Sequence, residues 1–413
     1  MGSNHGTVVD LQTMATDSPT SFQFKYVFWS FRASIDGFHY CLPVISVDGT
    51  HLYGKYKGCL LLAMAMTGNG EIFPLAFSIV DAEDGRSWKW FLTNVMRHVV
   101  PPHRRVCIIS DRHSGIEHAF ENVPELGGGR VTRRYCLRHL RSNFWNKFRS
   151  KKLRTLMYKA GKAPNRSEFD QLLLQIASKN QEAYNWLNAI PEHKWTLSHD
   201  EGGSRYGVMT TNSSESFNHV LKGCRCLPVY AIVMFTYDKL VKLFDERRTS
   251  GYVWQQSGYN FPMNVWKHIR KNEENRLYCR VVQHHAQQGI YSVVVDGSSY
   301  IAQRETFTVN LNARTCSCGQ WVTFHLPCNH VHAVCHFCNV TVDHLIPNIF
   351  SIQSYINAYS GIIMPLPDES QWPTPEYEIL RPTPRQTTRT GRRTRTRYPN
   401  NMDYRPRRHR NQE

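Results

Sequence analysis

Cys316-Ser317-Cys318 and Cys328-Asn329-His330 are separated by nine residues toward the carboxyl end of a 413-residue chain. The pattern C-x-C-x9-C-x-H offers three thiolates and one imidazole, a standard closed tetrahedral set for structural zinc. Few other features constrain a fold as tightly. Two segments must meet within bonding reach of one ion, and the chain is divided there into a long region before the site and an arginine-rich tail after it. In a chain with twelve Cys and twenty His such a spacing can also arise by chance.

The surroundings favour metal over disulfides. Met1–Ser21 is polar with scattered apolar residues, unlike a signal peptide. No stretch approaches the roughly 20 apolar residues that span a bilayer, so no membrane partner is expected. In a reducing compartment, closely spaced Cys are read as ligands first. A net charge of +17 and a pI near 9.4 point to a polyanionic partner, with nucleic acid the usual one. From Arg381 to Glu413 there are eleven Arg, no Lys and two acids, so about half the excess sits in that tail. Its Arg, Thr and Pro content predicts disorder, serving solubility, nuclear import or direct DNA contact.

Periodicity predicts strands at Cys41–Val47, Gly58–Met66 and Ile72–Val80, with Asp48-Gly49 as a turn. A helix capped by Ser87 follows, its apolar residues Trp88, Phe91, Leu92, Val95, Met96 and Val99 at helical spacing. Val106–Ser110 reads as a buried strand, Ser114–Phe120 as a helix, and Arg134–Cys136 as a short strand entering the helix Leu137–Phe148. This order predicts an α/β fold, a mixed sheet with helices packed on it. Lys151 to Asn188, a segment near Glu215, and Val229–Phe244 read as helical. Arg276–Asn310 returns to β with a turn at Gln288-Gly289.

Asp48 and Asp111 each follow an apolar strand. On neighbouring strands both carboxylates would emerge at one edge and could bind Mg²⁺ or Mn²⁺ through oxygen. Glu215, in the first turn of a predicted helix, is the candidate third carboxylate. An Asp after a strand is also a common turn or cap residue, and a Glu at a helix start a cap partner. Cys136-x-x-His139 could ligate metal, contact DNA or pack, and two ligands alone make no zinc site. His51 and His113, beside the two Asp, could contact DNA or metal or serve as local donors. Cys224, Cys226, Cys335 and Cys338 read as core thiols, Cys335 with a weak claim as a spare ligand. Asp81, Glu83 and Asp84 rank below the other acids because they fall in a turn.

Arg112, Arg134, Arg138 and Arg141 belong to a dense basic stretch suited to phosphate, or to an ordinary solvated face. Arg392 and Arg393 in the tail suggest minor-groove arms, though without the Gly-Arg-Pro core of an AT-hook.

The chain also resembles the transposase domain of the plant Mutator-like (MULE, MuDR-type) elements over Phe28–Ser250. The matching blocks are Phe28-Trp29 with Ser34 to Phe38, Pro43 to Gly58, Phe73 to Phe77, Trp88 with Trp90-Phe91, Ile109 to His113 with Gly115-Ile116, Tyr135 to Leu140 with Asn143-Phe144, and Met209 to Asn212 with Glu215 to Asn218. Members carry a SWIM-type zinc finger downstream, which Cys316, Cys318, Cys328 and His330 fit. The resemblance implies an RNase H-like mixed sheet with helices on both faces and a catalytic triad falling on Asp48, Asp111 and Glu215. It also implies divalent-metal-dependent DNA strand cleavage and transfer in the nucleus.

The expected organisation is a flexible leader (1–27), a transposase domain (28–250) with a helical insertion (about 151–208), and a connecting α/β region (251–312). A SWIM-type finger (313–345), an extension (346–380) and a disordered Arg-rich tail (381–413) follow. Family members usually carry a further amino-terminal DNA-binding region, so the 27 residues before Phe28 suggest a truncated copy. Two readings follow: a strand-transferring enzyme, with DNA and a second copy of itself as partners, or a domesticated, non-catalytic zinc-binding regulator.

Overall fold

A computed structural model describes residues 4–15, 22–53, 57–295, 305–372 and 380–381. Arg392, Arg393 and nearly all of the tail lie outside the described residues. The chain begins with β1 (Val8–Ala15) and β2 (Phe22–Ser30), then α1 (Arg32–Gly37), β3 (Val44–Tyr53), β4 (Lys57–Met66) and β5 (Ile72–Val80). Next come α2 (Gly85–Asn94), β6 (Val106–Ser110), α3 (Ser114–Asn122), β7 (Val131–Tyr135) and α4 (Leu137–Phe148). The strands form one mixed sheet in the order β1-β2-β5-β4-β3-β6-β7. β3, β4 and β5 make an antiparallel meander, while β6 runs parallel to β3, and β7 parallel to β6.

β4 shows why this sheet is a core element. Its run Cys59-Leu60-Leu61-Leu62-Ala63-Met64-Ala65 is buried along both faces, the signature of a central strand covered on two sides. Adjacent residues of β2 show what covers it. Phe28 faces α2, meeting Phe91 at 6.0 Å between ring centroids. Trp29 turns to the other face, stacks on Phe77, and donates its indole N–H to Thr236 at 3.1 Å. Thr236 lies on α9, introduced below, so helices do cover both faces.

After α4, the helices α5 (Lys151–Lys162), α6 (Arg166–Ala177) and α7 (Gln181–Asn188) form a layer around Phe144, Met157, Phe169, Leu187 and Trp195. The chain then returns through α8 (Asn212–Val220) and the long α9 (Val229–Gln256) to the sheet, followed by α10 (Met263–Asn275). A second antiparallel sheet comprises β8 (Cys279–His285), β9 (Ile290–Val295), β10 (Glu305–Asn310) and β11 (Thr315–Cys316). It carries α11 (Gln320–Phe324) and α12 (Asn329–Phe337); α13 (Ile352–Ala358) follows, and β12 (Leu380–Arg381) pairs with the start of β2.

Three local expectations are corrected. The leader is not featureless: β1 pairs along β2, which itself begins at Phe22. β1 is an edge strand whose partner supplies the hydrogen bonds, so it needs few apolar residues and gives little periodic signal. Asp48-Gly49 is no turn. β3 runs through it to Tyr53, because Gly49 pairs with Leu61 and the ladder continues to Tyr53 opposite Lys57. Ser87 is not the N-cap of α2. Asp84 is, accepting from the backbone N–H of Ser87 at 2.9 Å while the Ser87 hydroxyl returns to the Asp84 N–H, a reciprocal capping box.

The segment between the two halves of the Cys/His motif works as a wedge. Leu326 shares a core with Val44, Cys107, Ile109 and Cys136 beneath the main sheet. Phe324 packs against that core and against the α4–α7 layer. His325 stacks on Tyr206 at 3.9 Å and meets the Gly203 carbonyl at 2.9 Å. The approach is so close that a Cβ on Gly203 would sit 2.0 Å from the Val322 carbonyl oxygen. Gly202 has the same left-handed φ of 63° but open space around it. Gly202→Ala should therefore cost only the left-handed backbone term, about 1 kcal/mol. Gly203→Ala should add a clash of about 1–3 kcal/mol. Urea unfolding of the two variants measures the difference, and equal midpoints would show that the wedge contact does not hold the fold.

Candidate active site and metal centre

The register of the parallel pair sets the first two carboxylates. Ser46 of β3 lies opposite Ile109 of β6. Asp48 comes two residues further along β3, and Asp111 is the first residue past the end of β6, so both lie just beyond the paired segment, close enough for Asp111 to act on the Asp48 carboxyl. Asp111 follows the all-buried run Val106–Ser110, and its Oδ1 accepts from the His113 N–H at 3.0 Å. His113 in turn caps α3 by accepting from the Gly115 N–H at 3.2 Å. These bonds give Asp111 a fixed position in the turn from strand to helix.

α8 brings the third carboxylate across the sheet. The Ser214 hydroxyl lies 2.9 Å from that of Ser46 and donates to the Ser46 carbonyl at 3.1 Å. One turn later the Asn218 amide donates to Asp48 Oδ2 at 2.8 Å. Phe217, between them in sequence, packs on Phe77. α8 is thus pinned to β3 by two polar contacts, with Glu215 facing α4. Glu215 Oε2 pairs with Arg138 at 2.6 Å, while its Oε1 is buried without a hydrogen-bond partner.

Cys136 and His139 belong to the same neighbourhood. The Cys136 sulfur accepts from the Thr211 N–H at 3.3 Å and hydroxyl at 3.4 Å. Burial opposes ionisation of this thiol, yet His139 and Thr211 hold it below its ordinary value. His139 shows the converse: burial disfavours its charge, but Cys136, Asp48 and Asp111 raise it to about 9. The Asp48 carboxyl is pushed up to about 7, first by desolvation and then, against the opposing effect of His139, by Asp111, Glu215 and Glu83.

Glu83 is the acid that sequence reasoning undervalued. It sits in the β5–α2 turn, but the turn folds over Gly49, and a Cβ there would lie 2.8 Å from the Glu83 carboxylate. Desolvation raises its pKa, with His113 opposing and Asp111 adding to the rise. No local signal pointed to it, because Asp48-Gly49 has the chemistry of a turn and its mid-strand place beneath Glu83 emerges only in the fold. Arg134 is a second correction. It is buried and paired with Asp200 at 2.8 Å, with Ser204 at 3.3 Å, so it neutralises an internal acid and presents nothing to phosphate. Arg112 and Arg138 are exposed; Arg141 is half-buried, its guanidinium 4.7 Å from the Tyr158 ring centroid.

Among the described residues, three groups of His, Cys, Asp or Glu bring ligand atoms within 4.8 Å of one another. They are Cys316–Cys318–Cys328–His330, His51–Cys59–Glu83 and Cys136–His139–Glu215. Asp48, Asp111 and Glu215 are not among these groups; Asn218 holds Asp48 and Arg138 holds Glu215. Their donor chemistry nonetheless suits a hard divalent ion: three carboxylates near one another, Asp48 raised in pKa first by burial and then by Asp111 and Glu215, and an orphaned buried oxygen on Glu215.

The first group is the candidate zinc site, and its four residues are all buried. Cys316 ends β11, and the chain turns at Gly319, whose φ of 78° suits glycine. Cys328 caps α12 and His330 lies in its first turn. His330 Nδ1 points at Cys316 Sγ (3.5 Å) and Cys328 Sγ (3.8 Å), and its ring stacks on Phe307. Crowding splits the thiols: Cys318 is pulled well below its ordinary value by its neighbours, while Cys316 is raised to about 12. Three cysteines and a histidine gathered in one buried pocket could bind zinc, which would hold all three sulfurs as thiolates. Cys335 stands outside the group, in the core beside it.

Residues 44–143 match the family model of the MULE transposase domain. No curated protein matches the chain. The matched span includes Asp48, Glu83, Asp111, Cys136 and His139, and it supports a transposase-derived protein. Among the described residues, no helix is long and apolar enough to cross a membrane.

Two outcomes follow. After a mild chelator wash, elemental analysis should find about one zinc per chain, lost when Cys316→Ser and Cys328→Ser are combined. For Asp48, a carboxyl raised in the fold from 3.8 to about 7 contributes stability below pH 4 that is lost as pH rises through 7. Asp48→Asn, which stays neutral, should therefore raise the denaturation midpoint at pH 8 in metal-free buffer and have little effect at pH 4. An equal effect at both would refute the electrostatic account.

Proposed function

We propose that this chain is a Mutator-like transposase-derived protein with an RNase H-like catalytic domain, acting in the nucleus on DNA. The carrying observation is the placement of Asp48 and Asp111 at one sheet edge, inside the span that matches the MULE transposase domain. The meander β5-β4-β3 extended by parallel β6 and β7, with helices on both faces, fits the RNase H-like reading. On this reading residues 28–250 are the transposase domain, about 151–208 its helical insertion, 251–312 the connecting region and 346–380 an extension. The Cys316–His330 centre at 313–345 is a SWIM-type finger, and its ion supplies folding energy while its loop supports the sheet from below.

Asp48, Asp111 and Glu215 would hold Mg²⁺ or Mn²⁺. A bound ion supplies activation of a water or 3′-hydroxyl and stabilisation of the leaving oxygen. The chain's own residues do the rest. Asn218 orients Asp48, and the His113 N–H orients Asp111. Arg138 restrains Glu215 until a phosphate competes for the guanidinium. Arg112, next to Asp111 in sequence, and Arg138, paired with Glu215, would neutralise backbone phosphates, with Arg141 one helical turn beyond Arg138.

One observation favours the other reading, a domesticated non-catalytic regulator or inactive copy: Glu215 is engaged by Arg138 at 2.6 Å, not by its fellow carboxylates. Activity decides between the two. Purified protein with Mg²⁺ or Mn²⁺ and labelled DNA should nick or join strands. Asp111→Asn should slow this by about three orders of magnitude, the equivalent of several kcal/mol. Cleavage that survives in both Asp48→Asn and Asp111→Asn would refute the catalytic assignment.

A further inference from the structure

His51 on β3 and Cys59 on β4 are directly opposed in the antiparallel ladder, so both project from one face of the hairpin. The Cys59 sulfur lies 3.1 Å from His51 Nδ1. Glu83 arrives over Gly49 and completes a trio whose ligand atoms all lie within 4.8 Å of one another. Zinc bonds of 2.0–2.3 Å at tetrahedral angles set sulfur and nitrogen ligands about 3.5 Å apart, so this pair needs little rearrangement.

The neighbouring trio is a useful contrast. There, Cys136 is already served by two donors of Thr211, and Glu215 by Arg138. Among the described residues, no Lys or Arg pairs with Glu83. The charged and titratable groups around it are His51, His113, Asp111, Asp48 and Cys59. A buried thiol, an exposed imidazole and a half-buried carboxylate without a basic partner together ask for a cation. The mixed S, N and O donors suit a borderline-soft ion such as zinc and disfavour Mg²⁺. The solvent-exposed side of His51 leaves room for a fourth ligand.

We propose that His51, Cys59 and Glu83 form a second, open and exchangeable site for a zinc-class divalent cation beside Asp111. The site stands apart from the Cys316–His330 centre and does not depend on the carboxylate cluster being catalytic.

Co²⁺ titration of the full-length, zinc-loaded protein in millimolar Mg²⁺ tests it. The expected result is one further ion bound, with the absorption of a single cobalt–thiolate bond. His51→Ala, at an exposed position, should weaken binding by at least about tenfold, since even groups behind metal ligands are worth that much. Cys59→Ser should abolish the thiolate band. Saturation without such a band, full displacement by Mg²⁺, or unchanged affinity in His51→Ala would each overturn the proposal. So would loss of the band in Cys136→Ser and not in Cys59→Ser.

Discussion

Everything at the candidate site depends on the parallel pairing of β3 with β6. Val44, Ile45 and Ser46 lie opposite Cys107, Ile108 and Ile109, and this short ladder decides where the next residues of each strand emerge. A slip of one residue would turn every β3 side chain to the opposite face. The pairing is protected by burial on both sides: Val44 and Ile109 face the core that includes Leu326, while Ile45 and Ile108 face the central core. β3 is also the strand on which α8 is seated, through Ser46 and Asp48. One strand therefore sets the first carboxylate, its relation to the second, and the path of the helix bearing the third.

The electrostatic cost of that arrangement is visible in its neighbours. Asp48, Glu83, Asp111 and Glu215 crowd one edge, and the surrounding structure answers with Arg138 on Glu215 and His139 near Asp48. Elsewhere the fold meets the same difficulty by complete pairing. Asp200 takes Arg134 and the backbone N–H of Arg205. Tyr355 and Arg247 both engage Glu71. The carboxylate edge is the place where acids outnumber their permanent partners, as expected of a cluster that binds something cationic.

Much of this was legible in the sequence, for identifiable reasons. The apolar runs of β4, β5 and β6 and the helical spacing of α2 are long, regular signals. The Cys/His spacing named its four residues, and the strand-end position of Asp111 carried through. Other features were illegible because long-range pairing overrides local signals. Asp48-Gly49 has turn chemistry but is held extended by Leu62 and Leu61 opposite. β1 is visible only through β2. The burial of Arg134 depends on Asp200, 66 residues away. Glu83 lay in a turn, and only the fold shows that the turn closes over Gly49.

The wedge at Gln320–Leu326 has a consequence for how the molecule is made. Asp48 and Asp111 leave the ribosome early, and the α4–α7 layer follows. The residues that seal the underside of β3 and β6 are translated about two hundred positions later than Asp111. Until then Val44, Ile109 and Cys136 lack Leu326 as a cover, and the nascent chain carries an open apolar seam beneath its acidic edge. Cys316 and Cys318 lie just before the sealing loop and Cys328 and His330 just after it, so an ion held by all four would tie down both ends of the loop at once.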